Sequence, residues 1–182
     1  MVQIRDAQVG DALGIATVHV RSWQTTYPGI MPDEVLRNLS IEKRAAHWER
    51  WLQNPSGDAF HLVAEEEAQI IGFASGSPER DGDPTYTGEL QAVYLLQEHQ
   101  GRGLGRALFL EVARRLKAQG HRKMLLWVAK ENRPSVAFYE RMGGVALREK
   151  TVEFGGRPIV EVAFGYDLTL SEYRRCSHAG GR

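Results

Sequence analysis

The 182-residue sequence contains one cysteine, Cys176, so it lacks the residues for an internal disulfide or a cysteine-based metal cluster. It also lacks an excess of charge, because 23 Lys and Arg balance 23 Asp and Glu. No apolar run approaches the ~20 residues that span a bilayer, and residues 1–6 do not begin a signal peptide. We therefore expect a soluble protein of the reducing cytoplasm that binds neither nucleic acid nor membranes.

The histidines show no spacing typical of metal ligands, so we expect no metal. A chain of this length can form one domain with a substantial core and is short for two. Residues 1–168 carry the apolar patterns and are expected to form that domain. Residues 169–182 have little apolar content after Leu170, which predicts a polar tail that frays.

The apolar patterns alternate between strand and helix types, which indicates an α/β domain. Asp11 is expected to cap a first helix, and Ser40 precedes a second. Residues 90–129 form a strand, a helix and a second strand, so we expect a right-handed crossover between parallel strands within a mixed sheet. Hairpins are predicted around residues 65–67 and 155–156. In the last strand, five apolar residues are expected to share one face: Val160, Val162, Phe164, Tyr166 and Leu168.

The most informative segment lies at residues 100–105, Gln-Gly-Arg-Gly-Leu-Gly, between an apolar strand and a helical run. Three glycines in five residues let the backbone approach a ligand, and the following helix N-terminus offers unpaired N–H groups to a phosphate. A P-loop is excluded because Arg106 and Ala107, not Lys and Ser or Thr, follow the last glycine. A Rossmann turn is disfavoured by the mid-chain position. A turn without a ligand remains the alternative.

Two blocks of the sequence resemble one family. Gln100-x-x-Gly103-x-Gly105 matches the Q/R-x-x-G-x-G/A signature of the GCN5-related N-acetyltransferases. Residues 132–143 look like their second block, N-x-x-A-x-x-F/L-Y-E-x-x-G-F. The resemblance spans about residues 2–168 and is sharpest over residues 89–143.

The sequence departs from the family pattern at three positions outside the glycine turn. Gln97 stands where proline is common, Ser135 where alanine is common, and Gly144 where an aromatic residue usually follows the glycine. These departures bear on local packing more than on the cofactor.

The resemblance implies a single-domain acyl-CoA N-acyltransferase fold, with a mixed, mostly antiparallel, splayed sheet and helices on both faces. It implies transfer of acetyl from acetyl-CoA to a primary amine in a ternary complex, without a covalent acyl-enzyme. A different acyl donor, a non-catalytic acetyl-CoA-binding regulatory module and a structural interaction domain are the alternatives. A homodimer through the last strands or the tail is left open.

The resemblance also assigns the cofactor site. The turn from Gly101 to Arg106 would bind the pyrophosphate through backbone N–H groups, with the arginines adding charge. The fourth strand would pair with the pantetheine arm through its main chain. The residues so assigned are Val93, Tyr94, Leu95, Gln100, Gly101, Arg102, Gly103, Leu104, Gly105, Arg106, Asn132 and Ser135. Ordinary surface arginines, core strand residues and an Asn132 helix cap are the alternative interpretations.

The same resemblance gives candidates for the chemistry. Tyr139 would donate a proton to the CoA sulfur, and Glu89 would accept the amine proton directly or through water. A tyrosine packed on its helix and a solvated glutamate are the alternatives. Trp23 and Tyr27 lie in a run, S-W-x-x-T-Y-x-G-x-x-P, that is found in one branch of the family. They would wall the pocket of a small-molecule or peptide amine, or else pack in the core.

Overall fold

The computed structural model describes residues 1–55 and 57–170; residues 171–182, including Cys176 and most of the predicted tail, lie outside the described residues. The strands are β1 Gln3–Asp6, β2 Phe60–Glu66, β3 Gln69–Pro78, β4 Gly88–Leu95, β5 Lys123–Ala129, β6 Val145–Phe154 and β7 Arg157–Asp167. The helices are α1 Ala12–Thr26, α2 Asp33–Arg37, α3 Ile41–Gln53, α4 Leu104–Ala118 and α5 Arg133–Arg141. Across these residues, no helix is both long and apolar enough to cross a bilayer.

The strands form one seven-stranded sheet in the order β1-β2-β3-β4-β5-β7-β6. The pair β4–β5 is parallel and the other neighbours are antiparallel. The register of β4 on β5 contains two pairs, Gly88 with Met124 and Glu89 with Leu125, beyond which the two strands diverge. The predicted mixed, mostly antiparallel, splayed sheet is confirmed.

Helices cover both faces of the sheet, as predicted. On one face, α4 buries Leu108, Val112 and Leu116 completely, because leucine and valine recur there at every fourth residue. On the other face, α1 and α3 enclose a second cluster that contains Ile15 and Trp48. The sheet is therefore the middle of three layers, and the point where β4 and β5 diverge opens between the helical layers.

Both predicted hairpins are present, and each has a two-residue turn with positive φ at both positions. Gly155 and Gly156 have φ of 54° and 79°, which glycine adopts without strain. Glu67 and Ala68 adopt φ of 50° and 64° with side chains present, so the β2–β3 turn is the less favourable of the two.

Two local expectations need correction. The Asp11 carboxylate does not cap α1; it accepts a bond from the Gln8 backbone N–H at 2.7 Å and pairs with Arg5. The reason is a short 3₁₀ turn, Val9–Asp11, that leads directly into the helix. Of the five apolar residues predicted to share a face of β7, four are buried, whereas Val160, near the hairpin end of the strand, is 39% exposed.

Candidate active site

The divergence of β4 and β5 leaves a cleft of about 260 Å³, hereafter the cleft. The walls come from β4, β5, β6, β7, α5 and the end of α1. Ten of the residues predicted from sequence line it: Trp23, Tyr27, Glu89, Val93, Tyr94, Leu95, Gln100, Asn132, Ser135 and Tyr139. Because Gln100 is among them, the glycine turn lies beside the cleft.

The glycine turn presents a row of free backbone donors. Gly101 and Gly103 have φ of 74° and 81°, and Gly103 is the N-cap of α4 in the left-handed conformation. The first helical bond of α4 runs from Ala107 N–H to the Gly103 carbonyl at 3.1 Å. Within the described residues, the N–H groups of residues 101–106 have no acceptor. Such a row at a helix N-terminus is suited to a phosphate group.

The two arginines of the turn lie in different surroundings. The Arg102 guanidinium donates to both carboxylate oxygens of Glu66, at 2.7 and 2.9 Å, and also contacts the His99 ring at 2.8 Å. Arg106 is exposed on the first turn of α4, and no ion pair to it is found in the described part of the chain. Arg106 is therefore the cation of this turn that is free to meet an anion, whereas Arg102 is already neutralised.

The β4 edge faces the cleft with alternate residues. The Leu96 N–H bonds to Ile71 on β3, so the alternation of an antiparallel pair directs the main-chain groups of Val93 and Leu95 away from β3. The Leu95 carbonyl already accepts bonds from Ser22 Oγ at 3.0 Å and Gln100 Nε2 at 3.3 Å. Val93 is thus the residue of this edge best suited to an extended ligand.

Asn132 and Ser135 form the cap of α5. The Asn132 side chain, 5% exposed, accepts a bond from the Ser135 N–H at 3.3 Å. The helix-cap interpretation is therefore confirmed, and both residues also line the cleft. The cap fixes the start of α5 and with it the position of Tyr139, two turns further along the helix.

Tyr139 is anchored by its ring and main chain. Its ring packs against Phe138 and Phe109, at centroid distances of 5.2 and 6.4 Å, and its carbonyl accepts a bond from Tyr166 Oη at 2.9 Å. Tyr139 lines the cleft, and its hydroxyl makes no hydrogen bond to the described residues. Burial raises the pKa of the phenol, so the group carries its proton at neutral pH.

Glu89 is buried rather than solvated, at 3% exposure. Both carboxylate oxygens accept bonds from the Arg80 guanidinium, at 2.6 and 2.9 Å. Arg80 comes from the β3–β4 loop and was missed from sequence, because nothing local signals that the loop folds back on β4.

The acceptor side of the cleft is aromatic. Tyr27 Oη lies 3.1 Å from Tyr94 Oη, and the Trp23 ring meets the Tyr27 ring edge-on at 5.3 Å. Trp23 and Tyr27 also pack against a small cluster around Met31, so packing and cleft-lining roles coincide.

Cleft residues on β5, β6 and β7 were also missed, among them Trp127, Lys150 and Glu161. Glu161 is half-buried, and its carboxylate has no hydrogen bond or ion pair with the residues that the structure describes. Burial raises its pKa, while the nearby Lys150 and Arg80 charges partly offset that effect. The alternation in β7 could have indicated Glu161, since it opposes the buried Val162 face.

The comparisons with known proteins agree with this geometry. Residues 19–144 match the model of the Acetyltransferase (GNAT) family. The chain is 36% identical over 166 residues to the uncharacterized N-acetyltransferase YuaI of Bacillus subtilis, covering 91% of this chain and 93% of that protein. It is 35% identical over 165 residues to the mycothiol acetyltransferase of Thermobifida fusca, but spans 47% of that protein's length.

Solved structures share the fold. yncA of Salmonella typhimurium, solved with its cofactor acetyl-CoA, superposes with a TM-score of 0.69 at 24% identity, covering 100% of this chain and 98% of that one. The PaiA N-acetyltransferase of Thermoplasma acidophilum, solved with coenzyme A, superposes with a TM-score of 0.66 at 23% identity. The match covers 92% of this chain and 99% of that one. Because the family model matches more than half of its length, the chain belongs to the GNAT family of acetyltransferases.

Proposed function

We propose that the protein transfers acetyl from acetyl-CoA to a primary amine, by direct attack of the amine within a ternary complex. The observation that carries the proposal is the continuity of the cleft with the glycine turn. Free backbone donors at one end, an open strand edge along the side and a tyrosine hydroxyl inside fit the three parts of acetyl-CoA in order. The family match supports the same reaction.

The cofactor would be held mainly by backbone groups. We assign the pyrophosphate to the N–H groups of residues 101–106, with Arg106 as the free cation and Arg102 joining if it leaves Glu66. The amides of the pantetheine arm would pair with Val93, beside Asn132 and Ser135. Acetyl-CoA supplies the activated thioester, and the protein supplies position and protons.

Tyr139 is proposed as the general acid. As the bond from carbon to sulfur breaks, the thiolate takes a proton from the Tyr139 hydroxyl. One observation supports this role: the hydroxyl makes no competing hydrogen bond among the described residues, so it is available to a ligand in the cleft. The Tyr166 and Phe138 contacts hold it in place.

Glu89 stays a candidate for accepting the amine proton. It lines the cleft on the β4 side, where sequence placed it. In the structure its two oxygens are engaged by Arg80, so Glu89 can act directly only after that ion pair opens, or through a water molecule that contacts it.

The test is release of CoA thiol from acetyl-CoA by the purified protein, with spermidine, L-leucine, kanamycin or an alanyl dipeptide as acceptor and a reaction without acceptor as control. Release that depends on one acceptor establishes the reaction and its substrate class. Stabilisation by acetyl-CoA without release from a broad amine panel would favour the regulatory module. A protein that acetyl-CoA does not stabilise would contradict the proposed role of the glycine turn.

A further inference from the structure

We propose that Glu161 on β7 is the carboxylate that receives the acceptor's ammonium group and takes its proton. This inference rests on the proposed function and names a catalytic residue for it. It assigns the proton-accepting role to the β7 side of the cleft, opposite the strand that carries Glu89.

The register places Glu161 at the centre of the acceptor side. Glu161 pairs with Ala129 on β5 and with Lys150 on β6. Its neighbours along the strand that point the other way, such as Val162, are buried under α4 and α5. Glu161 therefore faces the α1 side of the sheet, where it lines the cleft together with Tyr27 and Trp127.

The Glu161 carboxylate has no hydrogen bond or ion pair among the described residues, and the two cations whose charges act on it, Lys150 and Arg80, each contact another group. Lys150 Nζ lies 3.4 Å from Asp81 and 4.0 Å over the Trp127 ring. The Arg80 guanidinium is taken by Glu89. A half-buried carboxylate without a partner is unfavourable, and an incoming ammonium would supply the missing charge and hydrogen bonds.

Glu89 differs from Glu161 in what a substrate would have to displace. To contact an amine directly, Glu89 would have to give up two bonds to Arg80 and leave that guanidinium unpaired next to the cleft. Glu161 has nothing to give up. We therefore assign Glu89 the role of positioning Arg80 and the β3–β4 loop.

Every proton in the reaction is accounted for when Glu161 takes this role. One proton passes from the ammonium nitrogen to the Glu161 carboxylate, and the neutral amine forms a bond to the thioester carbon. The bond from carbon to sulfur then breaks, and Tyr139 protonates the departing thiolate. A second proton leaves the nitrogen and restores the phenol, and Glu161 releases its own proton to solvent.

The first arm of the experiment compares Glu161→Gln, Glu161→Asp and Glu89→Gln, with Glu153→Gln as the matched control. Glu153 lies on β6, is exposed and does not line the cleft. We expect Glu161→Gln to lower kcat/KM for the amine by about 10²-fold or more, with acetyl-CoA binding unchanged and Glu161→Asp partly active. Glu89→Gln should lower kcat/KM for the amine less than Glu161→Gln does. The assignment is overturned if Glu161→Gln stays within twofold of wild type.

The pH dependence of kcat/KM distinguishes a catalytic role of Glu161 from a structural one. The charged and titratable groups around Glu161 are Lys150 on β6, Arg80 in the β3–β4 loop, Glu89 and Tyr94 on β4, and Tyr27 after α1. A base with a raised pKa loses activity as pH falls through that pKa. Glu161→Gln should abolish this acid limb of kcat/KM; its persistence would exclude Glu161 as its source.

The second arm needs no turnover, so it separates failure of this inference from failure of the proposed function. Protein labelled with ¹³C in glutamate carboxyls is titrated with propylamine in the presence of CoA, and the two variants assign the resonances of Glu161 and Glu89. We expect propylamine to shift the Glu161 resonance. A shift at Glu89 alone, or none at either, overturns the assignment even if thiol release is observed.

Discussion

Tyr139 lines the cleft with its side chain, whereas its carbonyl makes hydrogen bonds that stabilise the fold. The carbonyl accepts bonds from Tyr166 Oη and from the Gly144 N–H, at 2.9 and 3.1 Å, which ties the end of α5 to β7. The hydroxyl takes no part in these contacts. Removing the oxygen alone should therefore separate chemistry from packing.

We expect Tyr139→Phe to lower kcat by roughly 10² to 10⁴-fold, because the leaving thiolate loses its proton donor. Affinity for acetyl-CoA and the melting temperature should stay near those of wild type. Steady-state kinetics and calorimetric titration measure these quantities. Tyr86→Phe, which changes a tyrosine outside the cleft, is the control. Unchanged turnover at saturating substrates would remove the acid role.

His19 is a residue whose effect should appear in stability. Its ring stacks on Tyr94 and packs at a tilt against Phe73, and neither ring nitrogen has a hydrogen-bond partner among the described residues. Burial, with a smaller contribution from the Arg44 charge, lowers its pKa from 6.5 to about 3. The unfolded state therefore binds more protons than the folded state between these two values, and stability falls as pH drops below 6.5.

We expect His19→Phe to remove this acid sensitivity. By the linkage relation, the advantage of the variant over wild type should grow by about 2 kcal/mol between pH 6.5 and pH 5. Denaturant unfolding at the two pH values measures it. His47→Phe, at an exposed position, should leave the pH dependence unchanged. Parallel curves for His19→Phe and wild type would contradict the neutral state of this histidine.

The glycine turn and the β6–β7 hairpin contain two glycines that allow a matched comparison. Gly103 and Gly156 have φ of 81° and 79°, and a Cβ added at either would meet no atom within 4 Å. Alanine at either position should therefore cost about 1 kcal/mol of stability through backbone strain alone. Only Gly103 belongs to the proposed phosphate cradle.

We expect Gly103→Ala to weaken acetyl-CoA binding by tenfold or more, because strain redirects the N–H groups of residues 101–106. Gly156→Ala should lose similar stability and no affinity. Calorimetric titration and thermal unfolding of both variants measure the two effects. If Gly103→Ala and Gly156→Ala bind acetyl-CoA with equal affinity, the glycine turn does not bind the phosphates.

The parts of the candidate site that lie in contiguous segments are the ones that could be predicted from sequence. The glycine turn, the Asn132 cap and Tyr139 could be located because each lies in a short motif whose spacing is visible in the chain. The Arg80–Glu89 ion pair could not be located, since it depends on how a loop folds back on β4. For Glu161, the alternation in β7 indicates the face of the strand but not that this face meets the cleft across the sheet. The paths of such segments are set by tertiary packing, which local pattern does not encode.

Because β4 and β5 diverge inside the single sheet, ligand binding between them is coupled to the stability of the entire fold. A ligand that fills the gap binds the folded state alone. At a concentration 100 times its Kd it adds about 2.7 kcal/mol. For a protein of this size that corresponds to a rise in Tm of roughly 5 to 11 °C.

We expect acetyl-CoA to raise the melting temperature by this amount and to slow amide hydrogen exchange in the β4 edge around Val93 and in residues 101–106. The β1–β2 pair of Asp6 and Leu62 lies outside both the cleft and the glycine turn and serves as an internal control for local protection. Exchange measured by mass spectrometry with and without acetyl-CoA tests the pattern. Uniform slowing across the chain, without enrichment at the turn, would contradict the binding mode.

The position of β7 within the sheet has a consequence for biosynthesis. β7 follows β6 in the chain but lies between β5 and β6, so β5 has two register pairs with β4 and no antiparallel neighbour until β7 has been made. On the ribosome, the β5 edge and its apolar residues thus remain uncovered while β6 is synthesised. The segment from β5 to β7 is where we expect a nascent chain to depend on a chaperone.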